Sequence, residues 1–136
     1  MFAPYHPSAL IVDDDAAVRM SAAMLLSVMQ VDAHLAENGD AALALVQERF
    51  FDFALIDLGL PDIDGALLAE KLRAIAPAIS IIIVSADHHR RFRQAGVADH
   101  WLDKPMSSKL LQQAIRDILT GGASAAPPSM ELPDVT

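Results

Sequence analysis

The stretch Phe53–Gly65, FALIDLGLPDIDG, constrains this chain most. Its first residues, Phe53, Ala54, Leu55 and Ile56, are apolar without a break and run straight onto a carboxylate, Asp57. A run too short for a helix reads as a strand buried on both faces, the environment found inside a parallel sheet. An acid just past such a strand stands at the carboxyl edge of the sheet, where open α/β folds place their sites. Asp57 is therefore the candidate reactive centre.

The same alternation runs along the rest of the chain. Ala9–Asp13 (ALIVD) reads as a strand ending in the acidic trio Asp13, Asp14 and Asp15, one of which would cap a helix over Ala16–Met29. Val31–Ala36 is a shorter, partly exposed strand closed by Asn38-Gly39, followed by a helix over Asp40–Arg49 capped at Asp40. Phe53–Asp57 and a helix over Ala66–Ile75 come next, with Asp62 and Asp64 expected to form a turn and cap that helix. Ser80–Val84 is the most apolar strand and ends at Ser85; Asp87–Ala95 (DHHRRFRQA) reads as a short basic helix ended by Gly96. Trp101-Leu102 belongs to a fifth strand reaching Lys104-Pro105, and Ser107–Leu119 is a last helix capped by Ser107 or Ser108. Strands alternating with helices predict an α/β fold: a doubly wound, five-stranded parallel sheet covered on both faces.

With 136 residues, the chain has room for one domain. Residues 1–8 read as an extended lead-in and 9–120 as the folded domain. Residues 121–136, rich in small residues and proline, read as a linker or a free tail. The apolar fraction of 53% is enough to bury a real core. A net charge of −8 argues against a grip on nucleic acid by this segment, because phosphate contacts need Lys and Arg. The absence of cysteine removes thiol catalysis, disulfides and Cys-ligated zinc. The longest apolar stretch, around 75–86, is broken by Pro77 and Ser80 and is too short to span a bilayer. The opening MFAPYHPS lacks the signature of a signal peptide, so a cytoplasmic protein without a membrane role is expected.

In this topology Asp13 and Asp14, Asp57, Ser85 and Lys104 all follow strands and meet at one sheet edge. Crowded carboxylates repel unless a cation sits among them, and a hard divalent ion such as Mg²⁺ suits an all-oxygen set. With the metal and Lys104 present, about three negative charges face about three positive ones, and a phosphoryl group becomes tolerable. Asp57 would then be the nucleophile, and Ser85 would donate a hydroxyl hydrogen bond to a phosphoryl oxygen.

Ala9–Leu119 resembles a response-regulator receiver domain of a two-component phosphorelay. The likeness is carried by Asp13-Asp14 in LIVDDD, Asp57 in LIDLGLPDIDG, Ser85-Ala86 in IIIVSAD and Lys104-Pro105 in WLDKP. The resemblance implies the flavodoxin-like (βα)5 strand order 2-1-3-4-5. It also implies that Asp57 is the phosphoacceptor and that Asp13, Asp14, Asp57 and the backbone carbonyl of Gly59 hold Mg²⁺. Ser85 and Lys104 would bind the phosphoryl group, and the Lys104-Pro105 bond would be cis. Trp101 fills the position of the family's switch aromatic, working with Ser85 and Pro105. The donor would be a sensor histidine kinase or a histidine phosphotransfer protein. The domain would catalyse its own phosphorylation and dephosphorylation without turning over a metabolite. An effector domain beyond residue 136 and a homodimer are left open.

The chain departs from the family between Ser85 and Lys104, which is shorter by roughly one helical turn, so the helix over 87–95 should be stunted. Simpler readings lose ground once the residues are taken together. Asp13–Asp15 alone could be helix caps, but not with Asp57 and Lys104 in matching positions. Asp62, Asp64 and Gly65 would need an acid at position 60 and Glu at 71 to make an EF-hand loop, and the chain has Leu60 and Lys71. His88 and His89 are adjacent and do not share a helix face, which favours a surface role. Arg90, Arg91 and Arg93 read as a solvated face or a docking patch. A phosphohydrolase with an aspartyl-phosphate intermediate would want a second Asp two residues past the nucleophile, where Gly59 stands.

Overall fold

A computed structural model describes residues 6–86 and 96–121. Five strands form one sheet: β1 (Ser8–Val12), β2 (Asp32–Ala36), β3 (Phe53–Asp57), β4 (Ser80–Ser85) and β5 (His100–Asp103). Their order is β2-β1-β3-β4-β5, and every neighbouring pair is parallel. Four helices accompany them among the described residues: α1 (Ala16–Val28), α2 (Gly39–Glu48), α3 (Gly65–Ile75) and α4 (Ser108–Leu119). The short basic helix expected over 87–95 lies outside the described residues, as do most of the expected lead-in and tail. Among the described residues, no helix is long and apolar enough to cross a membrane.

The unbroken apolar runs are explained by the two faces of the sheet. Successive side chains of a strand point to opposite sides. Along β3, Ala54 and Ile56 join the core under α2 and α3, while Phe53 and Leu55 join the core under α1 and α4. β1 and β4 divide in the same way: Leu10, Val12, Ile81 and Ile83 face one side, and Ala9, Ile11, Ile82 and Val84 the other. Each fully buried Ile, Leu or Phe contributes about 1.5–3 kcal/mol relative to exposure, so the central strands are fixed by burial on both sides.

The helix starts follow from short polar side chains. Asp15 accepts hydrogen bonds from the backbone N–H groups of Ala17 at 2.8 Å and Val18 at 3.4 Å. Asp64 accepts from Ala66 N at 2.8 Å, and Ser107 from Leu110 N at 3.2 Å. Replacing Asp15 by Ala should cost about 1 kcal/mol, read as a lowered denaturant midpoint at unchanged slope.

Two expected caps are corrected. α2 is capped by Asn38, not Asp40: Asn38 has the extended backbone of an N-cap and accepts from Ala41 N at 2.8 Å, which leaves Asp40 in the first turn. Asp62 does not cap α3. Its carboxylate reaches across to α2 and accepts from Gly39 N at 2.9 Å and Asp40 N at 3.0 Å.

Candidate functional site

The carboxyl ends of the strands bring together the acids that the sequence sets far apart. β1 delivers Asp13 and Asp14 just past Val12, and β3 ends on Asp57. The two strands are neighbours with Val12 opposite Ile56, which aligns their ends. One oxygen each from Asp13, Asp14 and Asp57 lies within 4.8 Å of the others. Asp13 and Asp57 are buried, at 4% and 7% exposure, whereas Asp14 is exposed. Lys104 comes in from the end of β5, its Nζ 3.1 Å from Asp57 Oδ1 and 3.7 Å from Asp13 Oδ2. Ser85, 4% exposed, closes β4, and its carbonyl accepts from Lys104 N at 3.0 Å, which ties the lysine's backbone to the next strand.

The electrostatics reflect the crowding. Burial holds the Asp13 carboxyl above the usual range, reinforced by the nearby charges of Asp57 and Asp14; a hydrogen bond from Asp15 N at 2.9 Å and the charge of Lys104 oppose this. Burial would lower the Lys104 ammonium, but the contacts with Asp57 and Asp13 outweigh it and hold its pKa above the usual value. Lys104 therefore stays charged at neutral pH.

The raised Asp13 value has a sign that can be tested. Its folded carboxyl holds its proton more tightly than the unfolded one. The resulting stability is complete below pH 3.8 and is lost as pH rises through the folded value. Under chelator at pH 7, Asp13→Asn should therefore melt above wild type. That advantage should vanish below pH 3.8, as a pH series of melting curves would show.

The set fits a hard dication. It offers three carboxylates from two strand ends, one of them solvent-facing, in a cluster whose mutual repulsion is already evident at Asp13. Gly59, two residues past Asp57, donates its N–H to Asp57 Oδ1 at 3.3 Å and forms an antiparallel bridge with Asp64. The Lys104-Pro105 bond is cis. Trp101 lies opposite Ile83, half-buried against the α2/α3 core, and the two-residue period puts it on the same sheet face as Ser85. A cleft of about 290 Å³ opens beside the acids, lined by Ala17, Val18 and Ser21 of α1 and by Pro105 and Met106.

Two contributors were not foreseen. Arg19, one turn into α1, donates from its guanidinium to the Asp13 carbonyl at 2.6 Å and so braces the acidic turn from behind. Asp62 bridges the loop after β3 to α2. Arg19 lies inside a helix and not at a strand end, and Asp62 has the local sequence of a turn and helix cap, so neither contact is signalled by its neighbours in sequence.

The comparisons agree with this geometry. The family model of the response regulator receiver domain matches residues 9–116. The response regulator MprA of Mycobacterium sp. (strain KMS) is 33% identical over 113 residues, covering 81% of this chain and 49% of the relative. The transcriptional regulatory protein ZraR of Salmonella typhimurium is 32% identical over 114 residues, covering 81% of this chain and 26% of the relative. Among solved structures, a CheY-like receiver domain from Methanospirillum hungatei superposes with a TM-score of 0.79 at 29% identity, covering 85% of this chain and 95% of that one. The response regulator TrrA of Thermotoga maritima, in complex with Mg²⁺ and BeF, gives 0.77 at 25% identity, covering 82% and 98%. This chain belongs to the response regulator receiver family, the receiver domains of two-component signalling. It spans about half the length, or less, of these curated relatives.

Proposed function

We propose that Asp57 accepts a phosphoryl group from a phosphohistidine of a sensor histidine kinase or phosphotransfer protein, and that the resulting acyl phosphate switches the domain's conformation. The observation that carries this is Lys104 Nζ at 3.1 Å from Asp57, beside the cluster with Asp13 and Asp14. A buried carboxylate held against a fixed ammonium has its charge partner in place before any phosphoryl group arrives.

A carboxylate oxygen of Asp57 attacks phosphorus; the O–P bond forms as the N–P bond of the donor breaks, and the imidazole nitrogen keeps the electron pair and takes up a proton. Lys104 offsets the charge on the transferred oxygens, and the Ser85 hydroxyl donates to one of them. Asp13, Asp14, Asp57 and the Gly59 carbonyl would hold Mg²⁺, which supplies electrostatic stabilisation of the phosphoryl oxygens when bound. The Mg²⁺–BeF complex of the Thermotoga maritima relative supports that assignment. Water later cleaves the acyl phosphate and restores Asp57, so the domain acts on itself and not on a metabolite.

Ser85, Trp101 and Pro105 form the switch: the serine follows the phosphoryl group and the indole, on the same sheet face, responds. Residues 9–120 are the receiver, 1–8 a lead-in, and 121–136 a linker or tail. The protein works in the cytoplasm without touching nucleic acid through this segment, and its output runs through an effector domain or a partner. A homodimer of receivers is one form that output can take.

Because the chain has a single tryptophan, its fluorescence reports on the switch alone. Acetyl phosphate or beryllofluoride with Mg²⁺ should change the Trp101 signal. An unchanged signal, with no phosphate incorporated, contradicts the proposal.

A further inference from the structure

We infer that Asp62 is a positioning residue for the metal-binding side of this pocket, acting through the loop that carries Gly59; this rests on the phosphoacceptor reading. Asp62 is exposed, yet both of its oxygens are engaged on another element, by Gly39 N at 2.9 Å and Asp40 N at 3.0 Å. These hydrogen bonds hold its carboxyl below the usual range, with that from Gly39 the main cause. α2 already has its own cap in Asn38, so the clamp does more than start a helix. It fastens the outer arm of the loop between β3 and α3.

The inner arm of that loop is fixed separately. Leu58 N donates to Val84 O at 2.9 Å, Gly65 N donates to Leu58 O at 2.8 Å, and Gly59 bridges Asp64. Gly59 thus stands between a closed base and a clamped tip. Gly59 N reaches Asp57 Oδ1 over a long hydrogen bond of 3.3 Å, so a shift of the tip is passed to the Gly59 carbonyl and to the acid beside it. The fit to α2 is close: a Cβ on Gly39 would lie 2.3 Å from Ile63 Cγ2. Loop and helix are therefore held as one body at this point, and Asp62 is the polar half of the contact.

The test is calorimetric titration of Mg²⁺ into wild type, Asp62→Ala and Asp62→Asn, with melting curves under chelator. Loss of the clamp should weaken Mg²⁺ binding about tenfold, as loss of a supporting group commonly does, and Asp62→Asn, which keeps one acceptor, should fall between. At saturating Mg²⁺ the rate of phosphorylation by acetyl phosphate should return to within about twofold of wild type, because the Asp57 nucleophile is untouched. Wild-type Mg²⁺ affinity in Asp62→Ala, whether or not the chelated protein melts lower, overturns the inference and leaves Asp62 a structural tie. A wild type that binds no Mg²⁺ overturns the phosphoacceptor reading instead.

Discussion

Asp57→Asn is expected to reduce phosphoryl incorporation from acetyl phosphate by at least about 10³-fold, the scale seen when a nucleophile is removed. The exchange keeps the shape of a side chain that is 7% exposed, so the fold should survive. What disappears is the anionic oxygen that attacks phosphorus, since a neutral amide is a poor nucleophile. Lys104 also loses its 3.1 Å charge partner and keeps the 3.7 Å contact with Asp13. Intact-mass spectrometry after incubation with acetyl phosphate and Mg²⁺ gives the answer directly. Incorporation at the wild-type rate would move the acceptor to another residue.

Gly65→Ala should be the most damaging small substitution near the site, by steric means alone. A Cβ there would lie 2.4 Å from the carbonyl oxygen of Asp57 and 2.7 Å from Leu58 Cα. Both are backbone atoms, so no side chain can swing aside; either α3 moves or the end of β3 does. Overpacking of this kind costs about 3 kcal/mol, a large share of a total near 5–15 kcal/mol, and should lower the melting midpoint by about 10 °C. Gly59→Ala is the control: a Cβ there meets nothing within 4 Å, so the melting midpoint should barely change. If Gly65→Ala melts with wild type, the close approach of α3 to the site strand is wrong.

The sheet was legible because burial on both faces writes itself as continuous apolar sequence. β3 has the bounds that its composition predicts, β2 and β4 differ by a residue at one end, and β1 is shifted by one residue at both ends. The acids and Lys104 were legible because a residue just past a buried strand has one place to go. Contacts between distant loops were not. Asp62 looks like a local cap from its neighbours in sequence, and only the folded chain brings Gly39 and Asp40 within its reach. The end of α1 was legible too: the expected last residue, Met29, is its C-cap, although the chain then turns at Gln30 with φ +63°, where glycine is the usual signal. Val31 N donates to Leu26 O at 2.9 Å and closes the helix without one.

The most direct test of the account is chemical localisation. Wild-type protein is phosphorylated with acetyl phosphate and Mg²⁺, reduced with borohydride, which converts an aspartyl phosphate to homoserine, and digested for peptide mass spectrometry. Homoserine is expected at position 57 and nowhere else. No conversion, or conversion at Asp13 or Asp14 in place of Asp57, would contradict it.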